Sequence, residues 1–426
     1  MLVTIGKASA KLLAGGAAAA ALSLVSFAVT ARALGPHDFG LLLIAVAYTQ
    51  TVGRLVGFQS WHVFIRFAPQ IDRTTTAGTT SYFGLVRYSF ILDLCGALVA
   101  AIAVTSTAAA FSYLSPSASV PSLVVLLFSF SLLCRVNGTA LGLMRLSDRF
   151  GSLAAQTAAV AALKLALVAF AYLADGSLHT FAAIWVVCLA AEYLVVVAQA
   201  YAMLRADGFS VWGASKIPEE VGSRPFWRLH VTANLWSGAQ SLRELDSLIV
   251  ATALSPAALA IYRAGRDISL KLNRLLDPLV IVVYPHLARA RASNDQAGAQ
   301  RVFRVTTMIT VAAGLIALAA YSMIGRIGIE VLFGPAFVGV FEPGLVFMIA
   351  FVFSALGRAA IPAAMASDRA HGGLLVTTLA IPPFLISAYV LSIQAGVMGA
   401  ALAFLAYSAL TAVLTVALVA RQERAP

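Results

Sequence analysis

The chain has 426 residues, of which 61% are hydrophobic and 11% are charged, and its formal net charge is +11. This apolar fraction exceeds that of soluble globular domains, so the sequence predicts an all-α, polytopic membrane protein. The basic residues lie at the ends of apolar runs, as the positive-inside rule requires, and this pattern excludes nucleic-acid binding as the source of the charge.

Twelve apolar runs follow one another along the chain. Each has about 20 residues, which is enough to cross a hydrocarbon core of about 30 Å. They cover residues 12–30, 40–60, 88–110, 122–143, 152–173, 181–203, 231–252, 260–284, 302–323, 338–360, 372–393 and 397–419. We therefore expect twelve transmembrane helices.

The basic residues between the runs predict the orientation of these helices. With a cytoplasmic N-terminus, nearly all loop lysines and arginines are cytoplasmic, and the opposite side keeps Arg32 and Arg326. Both termini are then cytoplasmic. The polar segment 205–230 contains Gly, Pro and mixed charges, so we interpret it as a cytoplasmic linker between an N-terminal lobe, 1–204, and a C-terminal lobe, 231–426.

The two halves of the chain repeat short motifs at similar positions. ARALGPHDFG (Ala31–Gly40) aligns with ATALSPAALA (Ala251–Ala260), and each motif follows the first helix of its half. Because each half has an even number of predicted helices, the repeat is parallel and its axis lies along the membrane normal. The expected architecture is two six-helix lobes that face each other across a cleft.

The eighth run has a strongly charged face. At 100° per residue its charged side chains fall within an arc of about 140°, and aliphatic side chains cover the other side. The charged residues are Arg263, Arg266, Asp267, Lys271, Arg274 and Asp277. One charge at the bilayer centre costs on the order of 3 kcal/mol, so we expect this face to line a water-filled cavity. Its excess of bases over acids favours an anionic cargo, and Pro278 is expected to kink the helix.

Further charged residues fall inside other apolar runs. They are Arg54, Asp93, Arg135, Lys164, Glu192, Arg243, Glu244, Asp246 and Arg358. One interpretation is that these residues pair with one another. In another interpretation, Arg54, Arg135 and Arg243 contact the cargo. The predicted cargo-binding residues are then Arg263, Arg266, Lys271, Arg274, Arg54, Arg135 and Arg243.

Acidic residues in these runs are candidates for coupling transport to protons or cations. They are Asp267, Asp246, Glu244 and Asp277. Arg243 and Asp246 are three residues apart on the predicted seventh helix, a spacing that favours an internal pair, whereas Glu244 is turned by about 100° from Arg243.

The sequence contains none of the motifs expected of an enzyme. It has neither a Walker loop nor a G-x-S-x-G motif, and its histidines are scattered without metal-ligand spacing. We therefore expect no catalytic residues, no metal and no cofactor.

Three segments resemble a known family. ARALGPHDFG, ELDSLIVATALSPAALAIYRAGRDIS (Glu244–Ser269) and PHLARA (Pro285–Ala290) are similar to the polysaccharide-transporter branch of the multidrug/oligosaccharidyl-lipid/polysaccharide exporter superfamily, which includes the Wzx-type O-antigen flippases. The resemblance implies that an undecaprenyl-diphosphate-linked oligosaccharide crosses a bacterial inner membrane for surface polysaccharide or lipopolysaccharide synthesis. It also implies a cationic cavity, and a polysaccharide polymerase and glycosyltransferases as partners.

Two other functions stay open at this point. A cation-coupled multidrug exporter has the same fold, but it needs a buried carboxylate for a cationic drug, and the apolar runs of the first two helices contain none. A non-transporting scaffold for polysaccharide-assembly enzymes is the other alternative, and it would show no translocation of lipid-linked sugar in vesicles.

Overall fold

The described part of the chain is helical. The computed structural model describes residues 2–57, 60–114, 120–210, 216, 219–276, 296–358 and 378–423, and these ranges contain no β-strand. The predicted all-α class is confirmed.

These ranges contain thirteen α-helices, named here in chain order. The first seven are α1 (Leu2–Val56), α2 (Trp61–Phe67), α3 (Thr76–Leu114), α4 (Ser122–Leu133), α5 (Gly138–Leu146), α6 (Phe150–Leu173) and α7 (Leu178–Ala206). The others are α8 (Arg224–Leu242), α9 (Leu245–Ala253), α10 (Pro256–Leu275), α11 (Gln296–Phe333), α12 (Phe341–Arg358) and α13 (Ile381–Glu423). Short 3₁₀ segments span Ala68–Gln70, Glu219–Gly222 and Pro335–Val340.

Many of these helices are suited to a lipid environment. Within the described ranges, 7 helices are long and apolar enough to cross a membrane, namely α1, α3, α6, α7, α11, α12 and α13. The pair α4 and α5, bent by 43°, raises the number to 8 if it forms one broken span. Large apolar side chains such as Leu173 and Met323 stay about 80% exposed, as expected for lipid-facing surfaces. The multi-pass architecture is confirmed, whereas the count of twelve is not confirmed by this criterion.

Two of the longest helices contain a break in helical geometry. In α1, Gly35 has φ 69° and is followed by Pro36. In α13, Gly396 has φ 61°. A positive φ is readily adopted by glycine, and proline is well suited to restart a helix. Each break lies between two predicted apolar runs, so α1 and α13 each contain two of them.

In the second half of the chain, the repeat motif Ala251–Ala260 contains the start of α10. Ser255 is extended, its hydroxyl accepts a hydrogen bond from the Ala258 N–H at 3.1 Å, and Pro256 occupies the first position of α10. The two motifs also pack together, because a Cβ on Gly40 would overlap the carbonyl of Pro256.

The described chain divides into two compact units. Unit 1 contains Met1–Ser23 and Ala45–Glu244, and unit 2 contains Leu24–Ile44 and Leu245–Pro426. This grouping places α8 in unit 1 and the central part of α1 in unit 2. The predicted lobes 1–204 and 231–426, with their linker 205–230, stay a prediction.

Unit 1 has an aromatic and aliphatic core between α2, α3, α5, α7 and α8. Phe64 and Phe226 are fully buried there, and the Phe67 ring lies 5.3 Å from the Phe226 ring. These contacts explain why α8 belongs to this unit.

Unit 2 is organised by aromatic pairs. The Phe27 ring packs edge-on against Phe39 at 4.8 Å and against Phe333 at 6.2 Å. Phe39 in turn packs against Phe337 at 6.1 Å. Edge-to-face rings at these distances attract one another, so the central part of α1 is held against α11 and the segment that follows it.

Candidate functional site

Helix α10 contains most of the charged face predicted for the eighth run. It includes Arg263, Arg266, Asp267, Lys271 and Arg274, whereas Asp277 and Pro278 lie outside the described residues. Burial differs strongly along its charged face, from fully buried Arg266 to exposed Arg274.

Arg266 forms an ion pair in the interior of unit 2. Its Nη1 lies 3.2 Å from Oδ1 of Asp246, and both side chains are 0% exposed. The Tyr262 hydroxyl donates to Oδ2 of Asp246 at 2.7 Å, and the Phe404 ring lies 5.6 Å from the guanidinium carbon. An ion pair withdrawn from water needs such additional partners to offset its desolvation.

This placement differs from the expected water-filled cavity. On a helical wheel Arg266 lies at the edge of the charged arc, about 60° from Arg263, and α9 covers that edge. The charge pattern shows which face of α10 is ionic but not which neighbouring helix covers it. We therefore assign Arg266 and Asp246 a structural role in the proposal below.

Ser247 on α9 connects the buried pair to the rest of the charged face. Its hydroxyl accepts from Arg263 at 3.1 Å and from Arg266 at 3.2 Å, and donates to Asp246 at 3.1 Å. One O–H and two lone pairs allow all three bonds at once. Arg263 also donates to Asp267 at 3.3 Å, and both of these side chains are 15% exposed.

The C-terminal half of α10 presents cations that are more accessible. Lys271 is half-buried, and its Nζ lies 5.2 Å from the ring centre of Phe27. Arg274 is exposed. Asp267 lies one turn before Lys271 and is already hydrogen-bonded to Arg263. Among the described residues, the accessible end of the charged face is thus cationic.

Unit 1 brings two further predicted arginines into electrostatic range of each other. Arg54 donates to Oε1 of Gln50 at 3.2 Å. Arg135, in the break between α4 and α5, interacts electrostatically with Arg54 and also with Tyr193 and Asp93. These residues come from separate predicted runs and meet only in the folded unit.

The predicted internal pair of Arg243 and Asp246 is corrected by the structure. Arg243 pairs with Glu244, with Nη2 and Oε1 3.8 Å apart, while Asp246 pairs with Arg266. The reason is that the predicted seventh helix is interrupted at Arg243 and Glu244, between α8 and α9. A spacing of three residues brings side chains together only on a continuous helix.

Asp93 has a role that sequence reasoning did not assign. Its Oδ2 accepts from the backbone N–H and the hydroxyl of Thr139, both at 2.7 Å, and its Oδ1 accepts from the Ser60 N–H at 3.4 Å. These groups lie at the starts of α5 and α2, where helix dipoles favour a negative charge. The only sequence signal was a carboxylate inside an apolar run.

Among the described residues, no cluster of His, Cys, Asp and Glu forms a metal site.

A family profile matches much of the chain. The profile described as "Polysaccharide biosynthesis protein" matches residues 5–291. The inner membrane protein YghQ of Escherichia coli (strain K12) is 25% identical over 158 residues, which are 36% of this chain and 43% of that protein. The match thus spans less than half of this curated relative.

Solved structures show the same fold. An inward-facing multidrug resistance MATE family transporter of the MOP superfamily superposes with a TM-score of 0.74 at 12% identity, over 95% of this chain and 94% of its own. The lipid II flippase MurJ, in an inward closed conformation, superposes with a TM-score of 0.73 at 10% identity, over 94% and 86%. The fold is therefore that of MOP-superfamily transporters.

Proposed function

The chain belongs to the polysaccharide biosynthesis protein family, and from this premise we propose that it flips an undecaprenyl-diphosphate-linked oligosaccharide across the bacterial inner membrane by alternating access. The cargo would move from the cytoplasmic to the periplasmic face and serve surface polysaccharide synthesis, such as that of O-antigen. Family membership, the transporter fold and the cationic end of α10 support the proposal.

The cationic end of α10 is the observation on which the proposal depends. Lys271 and Arg274 lie one turn apart and are half-buried and exposed, respectively. An ammonium group and a guanidinium group at this spacing match a diphosphate, because charge-assisted hydrogen bonds to phosphate oxygens are short and strong. We assign these two residues to the diphosphate.

The other predicted arginines take secondary roles. Arg263 extends the cationic face toward the N-terminus of α10, where Asp267 reduces its net charge. Arg54 and Arg135 supply a further cationic region in unit 1, which we assign to phosphate or sugar oxygens. Arg243 is one-third exposed and pairs with Glu244, which reduces its net charge, so it is a weaker candidate for cargo binding.

The predicted ion-coupling residues differ in their accessibility to ions. Asp246 is fully buried in an ion pair, which disfavours a role in ion binding. Asp267 and Glu244 lie beside Arg263 and Arg243 and keep partial exposure, so they are the better candidates. Asp277 lies outside the described residues.

A multidrug exporter is the second candidate, and the likeness to the MATE transporter favours it. A cationic drug would be repelled by Lys271 and Arg274, because like charges at close range disfavour binding. The cationic face of α10 therefore supports the lipid-linked anion as cargo.

Transport in proteoliposomes tests the proposal. The assay follows loss of a fluorescent undecaprenyl-diphosphate oligosaccharide from one leaflet, in parallel with uptake of a cationic dye. We expect transport of the lipid, and a reduction of about a hundredfold when Lys271 and Arg274 are both changed to Gln, since each lost phosphate contact weakens binding by about 1.4 kcal/mol, or tenfold. Arg301→Gln, an exposed change on α11, is the control.

Dye uptake without lipid transport would favour the drug exporter. A folded protein that moves neither compound would favour the scaffold. Lipid transport that is unchanged in the double variant would overturn the assignment of Lys271 and Arg274.

A further inference from the structure

An apolar groove lies beside the cationic end of α10, entirely within unit 2. Its volume is about 280 Å³, and it is bounded by Leu24 of α1, by Ile268 and Leu272 of α10, and by Ile324 and Gly328 of α11. The nearby Tyr321 hydroxyl lies 3.4 Å from the backbone carbonyls of Val340 and Phe341 and donates to them. Because the Tyr321 hydroxyl is hydrogen-bonded to the backbone and the other residues that bound the groove are apolar or glycine, the groove offers contacts to an apolar occupant.

The groove lies next to the proposed diphosphate site. On α10, Lys271 is adjacent to Leu272 and one turn from Ile268, two residues that bound the groove. On α1, Leu24 lies one turn from Phe27, whose ring is 5.2 Å from the Lys271 ammonium nitrogen. Helices α1 and α10 thus bring the Lys271 ammonium group and the apolar groove close together.

The position of Lys271 along the predicted span restricts what occupies the groove. Lys271 lies near the middle of the apolar run 260–284. The phosphate of an ordinary phospholipid stays at the membrane surface, about half of the 30 Å core away from that level. Only a lipid whose head group enters the interior of the protein places phosphate at Lys271 and hydrocarbon beside it.

We propose that this groove binds the isoprene units nearest the diphosphate of the lipid carrier while the head group crosses the membrane. The inference rests on the proposed function and extends it from the head group to the tail. Contacts along the groove fix the direction in which the tail leaves the diphosphate, so that the head group is presented to Lys271 and Arg274.

Gly328 permits a sharp test, because a Cβ built on it meets no atom within 4 Å. Gly328→Leu adds a large side chain to the groove wall at a position where its Cβ meets no neighbour. Gly151→Leu on α6 is the matched control, since a Cβ there also meets no atom within 4 Å. Binding of undecaprenyl diphosphate and of geranyl diphosphate is measured for the full-length protein in nanodiscs.

We expect Gly328→Leu to weaken binding of undecaprenyl diphosphate about tenfold and to leave the short geranyl diphosphate unchanged. Lys271→Gln should weaken both compounds equally, because both have the diphosphate. Equal binding of undecaprenyl diphosphate by Gly328→Leu and by the control overturns the groove proposal. No effect of Lys271→Gln on either compound overturns the head-group site instead, so the two failures are distinguishable.

Photocrosslinking provides a second test that does not depend on Gly328→Leu folding. Undecaprenyl diphosphate with a photoreactive group on the isoprene nearest the phosphate should label Ile324, which is 63% exposed in the groove. Unlabelled undecaprenyl diphosphate should compete, whereas phosphatidylglycerol should not. Equal competition by phosphatidylglycerol shows that the groove holds ordinary acyl chains and overturns the proposal.

Discussion

Arg266 and Asp246 form an ion pair from which water is excluded, and this determines the cost of changing either residue. With Arg266→Ala, the Asp246 carboxylate stays buried without its cation, and such a loss destabilises a protein by about 3–5 kcal/mol. We expect a clearly lower midpoint of thermal unfolding in detergent than for Arg301→Ala, which changes an exposed side chain.

The double variant Arg266→Met and Asp246→Leu should recover much of this lost stability. Replacing a whole buried ion pair by apolar residues is often neutral, because the desolvation penalty disappears together with the attraction. If Arg266→Ala unfolds at the same temperature as Arg301→Ala, the buried pair has no structural role.

Asp93 shows another way to keep a carboxylate inside an apolar run. Its oxygens accept two backbone N–H groups and one hydroxyl at the starts of α2 and α5. Gly138 begins α5 directly against this carboxylate, where a side chain would collide with it. Asp93 thereby connects α3 to the starts of α2 and α5, beside the break between α4 and α5 that contains Arg135.

At the scale of helices, the close packing of Gly40 against Pro256 gives the second prediction. Gly40→Ala places a methyl group in the Pro256 carbonyl, so α1 and α10 must move apart. Overpacking of this kind costs typically about 1–3 kcal/mol, although alanine favours a helix by up to about 1 kcal/mol over glycine. We expect the midpoint of thermal unfolding to fall.

Gly16→Ala is the matched control, since a Cβ at Gly16 meets no atom within 4 Å. Its unfolding temperature should stay equal or rise slightly, because only the helix preference changes there. A rise of the same size for Gly40→Ala would show that the two repeat motifs do not pack as described.

The sequence predicted which segments are helical and where several of them break, because apolar run length, Gly-Pro and Ser-Pro act locally. It did not predict the interruption at Arg243 and Glu244, since no glycine or proline lies beside these two residues to signal a break. The partner of Arg266 also escaped prediction. Which helix covers a charged face depends on contacts between residues far apart in sequence, here those of Arg266 on α10 with Asp246 of α9 and with Phe404 of α13.

At the scale of the whole molecule, the distribution of basic residues predicts how the protein is oriented in the membrane. Loop lysines and arginines concentrate on one side of the predicted spans, which places that side in the cytoplasm. This orientation determines the sign of the electrical work done during transport. An anionic head group that moves outward from an inside-negative cell moves down the potential.

The membrane potential should therefore drive transport without ATP. Outward movement of each negative charge is favoured by about 2.3 kcal/mol per 100 mV, which shifts the equilibrium distribution of the lipid between the two leaflets about fiftyfold. In proteoliposomes with the cytoplasmic face inside, an inside-negative potassium diffusion potential should speed outward movement of the lipid-linked oligosaccharide, and the opposite polarity should slow it. The control is a proton or sodium gradient at zero potential, which should have little effect. Transport that follows the ion gradient and ignores the potential would instead assign the driving force to cation coupling, with Asp267 and Glu244 as the first residues to change.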